Sequence, residues 1–405
     1  MSDDRRVVVT GLGMVTGLGG DRESSWEGIR RGSTGIRRLR LKETGGGERD
    51  WLGASAGRWV RNGRDPVLGL GMRASEEALA DAGLAGGEKF DGRRAACTLS
   101  TSKGGLATVL AEHRRLLEGG SPSAKLIEEG HAGALAGIAS RRFGLEGPSC
   151  ATVAACASGL HSIIHGYHLI HEDEADVVLS GASDASLLSL LLGSYESMGV
   201  LSRGLEDPEG AVKPFDRERD GFAVGEGAGV LVLESLGSAR RRGARVYAEV
   251  AGWARGAEAY HLTSMAARRS QLGRLLAEAL ERAEVSAREL DYINAHGTAT
   301  KENDILETRA IHEALGREAG RVAVSSIKAA TGHLLGAAAA VEAVVTVLAM
   351  RDGYIPPTLN LRNPDPECDL DYVPLVGRKK AVRTAACTSA GFGGQIGVVV
   401  FKGVE

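Results

Sequence analysis

The sequence predicts an α/β protein, because apolar strand-like runs alternate with helical periodicity along the whole chain and no run reaches the length of a membrane span. The strand-like runs lie at 6–11, 94–99, 150–155, 175–180, 229–234, 246–253, 291–296, 322–327 and 398–401. The helical runs lie at 24–31, 72–83, 104–118, 131–142, 157–170, 269–284, 304–315 and 334–350. We therefore expect buried parallel strands covered by helices.

The order of these elements divides the chain into two α/β halves, 1–243 and 244–405, without a long linker between them. Each half opens and closes with a strand. The two halves show no visible repeat in sequence, so an internal duplication is an expectation about structure only. Residues 193–221, rich in Gly, Ser, Pro and charge, predict a long functional loop.

Composition excludes several classes of function. The chain is 43% hydrophobic and 25% charged, with 57 glycines and a formal net charge of −3, which fits a globular protein and argues against a nucleic-acid or membrane partner. The scattered cysteines contain no CxxC pair and predict free thiols in a reducing, cytoplasmic setting. They are Cys97, Cys150, Cys156, Cys368 and Cys387. No metal or other cofactor is expected.

Cys156 is the first candidate for chemistry, in the run CATVAACASGL. It follows a strand-like run and precedes a helix that begins with small residues. A sharp turn there would expose the thiol, and the helix N-terminus would favour the thiolate and lower the thiol pKa. The small neighbours would let a substrate carbonyl reach the Cys156 N–H, which is half of an oxyanion hole. An isolated cysteine among alanines is usually only a packing residue, and the other four keep that interpretation.

Two histidines are further candidates. His296 ends the run DYINAH and enters the loop GTAT, a position where α/β proteins place working groups. His333, in SSIKAATGHLLGAA, precedes a long apolar helix, whose N-terminus disfavours the imidazolium. A neutral imidazole can donate one N–H to a developing oxyanion. Either histidine alone would more often be structural.

A buried ion pair is expected beside His333. Lys328 ends a predicted strand, and Glu342 lies inside the apolar helix, where an unpaired carboxylate would be costly. We expect the two side chains to pair with each other. The alternative is that both face water.

Two other patterns carry weaker hypotheses. The segment TSAGFGGQIG at 388–397 places Phe392 among glycines, which predicts a tight or mobile loop, or a plain hairpin turn. Four histidines follow Cys156, and the spacings of the first three are typical of one helical face; a structural role is favoured over a metal site. They are His161, His165, His168 and His171.

Six motifs, in order along the chain, resemble the β-ketoacyl-acyl-carrier-protein synthases of the elongating type, including the ketosynthase subunits of type II polyketide systems. The motifs are GPSCATVAACASG around Cys156, KPFDRERDGFAVGEGAGVLVLE at 213–234, YINAHGTAT at 292–300, SSIKAATGHLLGAA at 325–338, IPPTLNL at 355–361 and GFGG at 391–394. The resemblance covers nearly the whole chain. It implies a duplicated thiolase-like fold layered α/β/α/β/α, and a homodimer or a heterodimer with a chain-length-factor-like subunit.

The resemblance also implies a reaction. Cys156 would accept an acyl chain from acyl carrier protein, and His296 and His333 would donate N–H groups to the enolate left when malonyl-acyl carrier protein loses CO₂. Lys328, paired with Glu342, would orient the His333 region. The remaining assignments are Phe392 for the oxyanion hole and the gate of the pocket, Thr298 and Thr300 for the pantetheine arm, and Tyr195 and Lys103 for substrate contacts.

The sequence departs from the usual family pattern at several of these places. Lys103 stands where the family usually has an apolar residue near the acyl pocket. Thr388, Ala390 and Ile396 replace the usual Asn, Phe and Asn of the last loop. These departures leave the substrate, and the choice between fatty-acid and polyketide biosynthesis, open.

Two other functions remain alternatives: a non-condensing partner subunit with a vestigial site, and a cysteine acyltransferase that uses no malonyl donor. Since carrier proteins are acidic, a basic docking patch is expected, and ordinary solvated arginines are its alternative. The candidates are Arg61, Arg64 and Arg203.

Overall fold

The structure is a computed structural model that describes residues 3–43, 46–60, 63–86, 90–266 and 270–404. Within these ranges the strands are β1 (Val7–Val15), β2 (Arg37–Lys42), β3 (Glu48–Ala54), β4 (Ala95–Ser100), β5 (Val177–Asp184), β6 (Val224–Gly225), β7 (Gly227–Ser235), β8 (Ala248–Ala257), β9 (Tyr292–Asn294), β10 (Ala323–Ser325), β11 (Tyr354–Ile355), β12 (Arg378–Lys379), β13 (Thr384–Gly391) and β14 (Gln395–Lys402). The helices are α1 (Arg22–Arg30), α2 (Pro66–Asp81), α3 (Leu106–Leu117), α4 (Lys125–Glu129), α5 (Ala134–Phe143), α6 (Ser158–His171), α7 (Ser189–Ser197), α8 (Leu236–Arg241), α9 (Gln271–Arg282), α10 (Lys301–Leu315), α11 (Lys328–Thr331) and α12 (Ala338–Asp352).

The main sheet has nine strands in the order β10-β9-β13-β14-β8-β1-β7-β5-β4. The expected buried parallel strands are present in the pairs β4–β5, β9–β10 and β9–β13, but the sheet as a whole is mixed. β7 runs antiparallel to both β1 and β5, and β14 runs antiparallel to both β13 and β8. A tight turn joins β13 to β14, which forces that pair to be antiparallel.

The two halves of the sheet repeat one topology. A parallel bridge from Cys97 to Ser149 adds a short fifth strand position beyond β4. We number the strands of each half in chain order and count the position at Ser149 as the third strand of the first half. Each half then has the order 3-2-4-5-1 from its outer edge inward, and corresponding strands of the two halves pair in the same parallel or antiparallel sense. The halves meet where β1 pairs with β8, at Val8 with Glu249 and Val9 with Ala248. The duplication that the sequence does not reveal is therefore present in the backbone.

The repeat extends to the turns that start the two inner helices. A 3-10 turn, Ala155–Ala157, precedes α6, and a second one, Leu335–Ala337, precedes α12. The second residue of the two turns is Cys156 in one half and Gly336 in the other. The first residue has a left-handed φ in both, 46° at Ala155 and 49° at Leu335.

Helices form three layers around the sheet halves. The inner helices α6 and α12 contact each other and strands of both halves. The outer helices α2 and α5 cover the first half, and α9 and α10 cover the second. The predicted α/β/α/β/α layering is thereby confirmed. No described helix is long and apolar enough to cross a lipid bilayer.

Small residues allow the inner helices to pack closely. A Cβ at Gly159 on α6 would lie 2.4 Å from the Ala340 nitrogen on α12, and one at Gly229 on β7 would lie 2.5 Å from the Ala340 carbonyl carbon. The backbone of α12 is therefore held between α6 and β7 at distances that only glycine permits.

Several predicted boundaries are wrong. The run 150–155 carries no named strand and ends in the 3-10 turn, and the expected loop 193–221 begins within α7. The helix expected over 334–350 starts only at Ala338, after the 3-10 turn. Lys328 begins α11 rather than ending a strand. The strands β2, β3 and β13 were not predicted, since their mixed charged or small residues lack an apolar run.

Candidate active site

Cys156 lies in the strained turn that leads into α6, and its side chain is buried, with the residue 5% exposed. Ser158 fixes the turn, because its hydroxyl donates to the Ala155 carbonyl at 2.7 Å and accepts from the Ala154 N–H at 2.9 Å. From the other half of the chain, the Ser389 hydroxyl donates to the Cys156 carbonyl at 3.1 Å. The nucleophile candidate is thus held by both halves.

The expected depression of the thiol pKa is wrong. Burial raises the pKa of Cys156 to about 11, although the positive charges of Lys103 and Lys328 and the Phe392 N–H each act to lower that pKa. The desolvation of the thiolate outweighs the nearby positive charges. The thiol is protonated at neutral pH and has to lose its proton as it reacts.

His296 and His333 converge on this thiol. The Cys156 sulfur and a nitrogen of each ring lie within 4.8 Å of one another. The ring centroids are 5.5 Å apart and the ring planes stand at 80°. Both residues are buried, with 3% of His296 and 2% of His333 exposed. A thiol from the first half and two imidazoles from the second therefore share one water-poor space.

His296 is positioned through its backbone. The carboxylate of Glu307, on α10, accepts the N–H groups of His296 and Gly297, both at 2.7 Å. The Thr388 hydroxyl also donates to Glu307, at 2.9 Å. Thr388, a departure from the usual family residue, thus ties β13 to the carboxylate that holds the histidine.

His333 is positioned by strand-like pairing with the segment before β7. Its N–H donates to the Ala223 carbonyl at 2.7 Å, and its carbonyl accepts the Gly225 N–H at 2.8 Å. The Leu335 N–H donates to His333 Nδ1 at 3.3 Å, which leaves the proton of the neutral ring on Nε2. The Phe222 ring packs edge-on against the imidazole, with centroids 4.9 Å apart.

Both imidazoles are neutral at physiological pH. Burial lowers the pKa of each well below its ordinary value, and the positive charge of Lys328 lowers it further. Burial is the first cause, ahead of any effect of a helix N-terminus on His333. Each ring can therefore offer an N–H without carrying a full charge.

The predicted pair of Lys328 and Glu342 is present and fully buried. The Lys328 ammonium donates to a Glu342 carboxylate oxygen and to the His296 carbonyl. Lys328 therefore contacts the His296 backbone, whereas the sequence predicted a contact with the His333 region. Burial raises the pKa of Glu342, and Lys328 opposes that rise. Neither residue lines the cavity, so both act on the site from behind His296.

A cavity of about 410 Å³ opens onto the three reactive side chains. Thr298 and Thr300 line it, with hydroxyl oxygens 2.9 Å apart. Ala390, near the end of β13, and Phe392, in the turn between β13 and β14, line it as well. A Cβ at Gly391 would lie 2.9 Å from the Cys156 nitrogen, so this glycine keeps clear the space beside the Cys156 N–H.

Tyr195 and Lys103, predicted as substrate contacts, do not line this cavity. Tyr195 packs instead in an apolar cluster with Cys156, and Lys103 makes an ion pair at 3.8 Å with the buried Asp184. They lie on another side of the thiol. Their role as substrate contacts stays a prediction.

The other candidates do not join the site. Arg64 and Arg203 are exposed, and Arg61 lies outside the described residues. In the described part of the chain, the one group of three ligand-type side chains close enough to share an ion is the Cys156, His296 and His333 set. The helix histidines have other partners: Ile396 carbonyl for His161, Cys150 for His165, Glu172 for His168 and the Tyr167 ring for His171.

Sequence reasoning missed Glu307 and Ser389. Glu307 had a readable signal, since it follows Asp304 by one helical turn and both acids lie on the buried side of α10. Ser389 had none, because its bond to the Cys156 carbonyl joins residues far apart in the chain.

Comparisons with known proteins agree with this geometry. The family description "Beta-ketoacyl synthase, N-terminal domain" matches residues 4–239, and "Beta-ketoacyl synthase, C-terminal domain" matches residues 247–362. The chain is 38% identical to 3-oxoacyl-[acyl-carrier-protein] synthase 2 of Synechocystis, over 99% of this chain and 98% of that protein. It is 37% identical to a putative polyketide beta-ketoacyl synthase 1 of Streptomyces halstedii, over 99% of both chains.

Solved structures show the same likeness. A type II polyketide ketosynthase, in complex with its acyl-carrier protein and bound to a hexaketide, superposes with a TM-score of 0.90 at 34% identity, covering 99% of this chain and 100% of that one. The ishigamide ketosynthase/chain length factor superposes with a TM-score of 0.87 at 31% identity, with the same coverage. The fold is that of condensing enzymes. The chain belongs to the β-ketoacyl synthase family.

Proposed function

We propose that this protein catalyses decarboxylative Claisen condensation, joining an acyl group carried on Cys156 to malonyl-acyl carrier protein and giving 3-oxoacyl-acyl carrier protein. The observation that carries the proposal is the convergence of one buried thiol and two neutral imidazoles within 4.8 Å. Full-length similarity to fatty-acid and polyketide synthases supports the reaction class.

The first half-reaction loads the enzyme. The Cys156 sulfur attacks the acyl thioester of the carrier, the carrier's thiol leaves, and the proton lost by Cys156 goes to that thiol, so the step is balanced. The N–H groups of Cys156 and Phe392 would stabilise the tetrahedral oxyanion. Support for this comes from the space that Gly391 keeps open beside the Cys156 nitrogen.

The second half-reaction forms the carbon–carbon bond. His296 and His333 would donate N–H groups to the thioester oxygen of the malonyl unit, and CO₂ departs as that oxygen gains enolate character. The enolate carbon attacks the acyl-Cys156 carbonyl, the cysteine sulfur leaves, and it takes up a proton. Neutral donors suit this step, because an imidazolium would protonate the carbanion.

Other residues would position the reactants. Lys328 and Glu342 would act through the His296 backbone, as positioning residues rather than as groups that touch substrate. Thr298 and Thr300 would bind the pantetheine arm of the carrier in the cavity. Phe392 would gate that cavity.

The setting of this reaction follows from the same proposal. The partner would be an acidic acyl carrier protein, for which the exposed Arg64 and Arg203 are docking candidates. A homodimer, or a heterodimer with a chain-length-factor-like subunit, would be the working assembly in the cytoplasm. Residues 1–243 would form the half that supplies the nucleophile, and 244–405 the half that supplies both histidines.

Two measurements test the proposal against its alternatives. Intact mass should show an acyl adduct on the native chain and none on Cys156→Ala, and product formation should be lost with it. A non-condensing partner subunit would leave condensation by the assembled complex unchanged in that variant. Release of ¹⁴CO₂ from malonyl-acyl carrier protein should fall by about 10²–10³ when His333→Ala or His296→Ala removes one donor. A plain acyltransferase would release no CO₂.

A further inference from the structure

A charged cluster lies beside Cys156, away from the cavity that opens onto the two histidines. Lys103 follows β4, Asp184 ends β5, and Tyr195 lies on α7. The Lys103 ammonium donates to Ser102 Oγ at 2.5 Å and, over a longer 3.4 Å, to Ser186 Oγ. Its positive charge also opposes the rise that burial causes in the pKa of the Tyr195 phenol.

The carboxylate in this cluster is satisfied without the lysine. Asp184 accepts hydrogen bonds from the Ser102 and Ser186 hydroxyls and from the Gly336 N–H, the last at 3.2 Å. The Lys103 nitrogen stays 3.8 Å from the nearest Asp184 oxygen, beyond direct hydrogen-bond distance. The ammonium is therefore only partly matched, and it keeps the capacity to serve another acceptor.

This charged cluster adjoins the apolar side chains around Cys156, the residue that would carry the acyl group. Cys156 belongs to an apolar cluster with Leu187, Leu192, Tyr195 and Phe222. The Tyr195 and Phe222 rings meet edge-on, with centroids 5.9 Å apart. The charge of Lys103 reaches both the Cys156 thiol and the His333 ring. An ammonium and a phenol thus interrupt a wall that is otherwise apolar.

We propose that Lys103 and Tyr195 are specificity-determining residues that favour acyl groups bearing a hydrogen-bond acceptor oxygen beyond the thioester over plain alkyl chains of equal length. This inference rests on the proposed function, because it concerns the acyl group that Cys156 carries. The shared chemistry is an acceptor oxygen, supplied by an oxo group along the chain or by a terminal carboxylate.

The physical reason is the chemistry of the ammonium group, which offers three donors and no acceptor. A methylene chain pressed against it would displace water without replacing the lost hydrogen bonds. An oxo or carboxylate oxygen would replace them with a charge-assisted bond. Since such bonds contribute about 1.5–3 kcal/mol, the preference should be about tenfold or more.

The experiment measures loading of Cys156 alone, without a malonyl donor. Acyl carrier protein carrying hexanoyl, 3-oxohexanoyl or adipoyl groups is mixed with the enzyme, and the rate of adduct formation is followed by intact mass. The native chain should load at least one of the two oxygen-bearing groups about tenfold faster than hexanoyl. Faster loading of 3-oxohexanoyl identifies an oxo group as the recognised acceptor, and faster loading of adipoyl identifies the terminal carboxylate.

Variants assign the preference to the cluster. Lys103→Met should raise the rate of hexanoyl loading. The ratio of the loading rate of the preferred oxygen-bearing group to that of hexanoyl should then fall close to one. Lys103→Arg should retain a preference, because it keeps a cationic donor. Tyr195→Phe should lower the ratio partly, and it serves as an independent test if Lys103→Met does not fold. Lys379→Met, which removes an exposed lysine on β12, should leave all three rates unchanged.

The inference and the proposed function fail in different ways. Equal ratios in the native chain and in both the Lys103→Met and Tyr195→Phe variants, with normal loading of Cys156, would overturn the inference and leave the condensing function intact. Faster loading of hexanoyl than of both oxygen-bearing groups by the native chain would also overturn the inference and leave the condensing function intact. Absence of any adduct from all three carriers would remove the proposed function, and the inference with it.

Discussion

At the scale of single residues, the site depends on burial more than on charge. Burial raises the pKa of the Cys156 thiol and lowers the pKa of His296 and His333, so all three groups are neutral at pH 7. Neutral groups are inexpensive to place in an apolar pocket. In the proposed reaction, negative charge develops on the substrate oxygen in the transition state, where the fixed N–H donors would stabilise it.

The lowered imidazole pKa values predict an unusual pH profile for decarboxylation. The donors are fully neutral above their folded pKa, and they gain protons only as the pH falls well below 6.5. The rate of ¹⁴CO₂ release should therefore stay level from pH 8 down through pH 6.5. His333→Gln, whose amide N–H does not titrate, is the control and should have the same level profile. An inflection near pH 6.5 in the native enzyme alone would contradict the assignment.

At the scale of elements, α11 and α12 hold the site through one buried ion pair. Lys328 begins α11, Glu342 lies on α12, and the ammonium also reaches the His296 carbonyl after β9. One carboxylate oxygen of Glu342 has no described hydrogen-bond partner, and neither has the amide oxygen of Asn294. The hydrogen bond from Lys328 therefore compensates only part of the cost of burying the Glu342 carboxylate.

Removing one member of this pair should be more damaging than removing both. Lys328→Met should lower the free energy of unfolding by about 3–5 kcal/mol, because it leaves Glu342 buried and unpaired. The double variant Lys328→Met with Glu342→Leu should recover much of that loss in urea denaturation. It should not recover CO₂ release, since the His296 carbonyl still lacks its donor. Equal stability of the single and double variants would argue against a coupled pair.

The contact between the inner helices gives a second prediction at this scale. Gly159→Ala would place a Cβ 2.4 Å from the Ala340 nitrogen, so α6 and α12 would have to separate. We expect a loss of at least about 1–3 kcal/mol in unfolding free energy. Gly137→Ala, on the exposed face of α5 with no atom within 4 Å of the new Cβ, is the matched control. It should be neutral or stabilising by up to about 1 kcal/mol, because alanine favours helix.

At the scale of the whole molecule, the two halves form one structure. The sheet is continuous through β1 and β8, and both inner helices pack against strands of both halves. Neither half can unfold without exposing the apolar surface of the other.

Calorimetry should therefore record one unfolding transition for the whole chain rather than a separate transition for each half. Gly159→Ala should move that transition to lower temperature without splitting it. Two separable transitions, one assignable to residues 1–243, would show that the halves are independent domains.

The sequence predicts the α/β class and the motif family because both depend on local patterns. Apolar runs identify β5 and β7, and the motif residues identify Cys156, His296 and His333. The mixed strand directions, the strand β13 and the Ser389 contact depend on pairings between distant segments, which no local pattern encodes. The direction of the Cys156 pKa shift was also beyond reach, because it follows from a burial that only the assembled halves create.

The repeated turns before α6 and α12 give the molecule two positions of the same backbone shape, and only one can hold a thiol. At Gly336, the counterpart of Cys156, a Cβ would come within 2.6 Å of the Ser102 nitrogen and 3.0 Å of an Asp184 oxygen. Asp184 lies against this turn and accepts the Gly336 N–H. One backbone shape thus serves two ends: one copy of the turn presents a thiol, and the other binds the carboxylate beside Lys103.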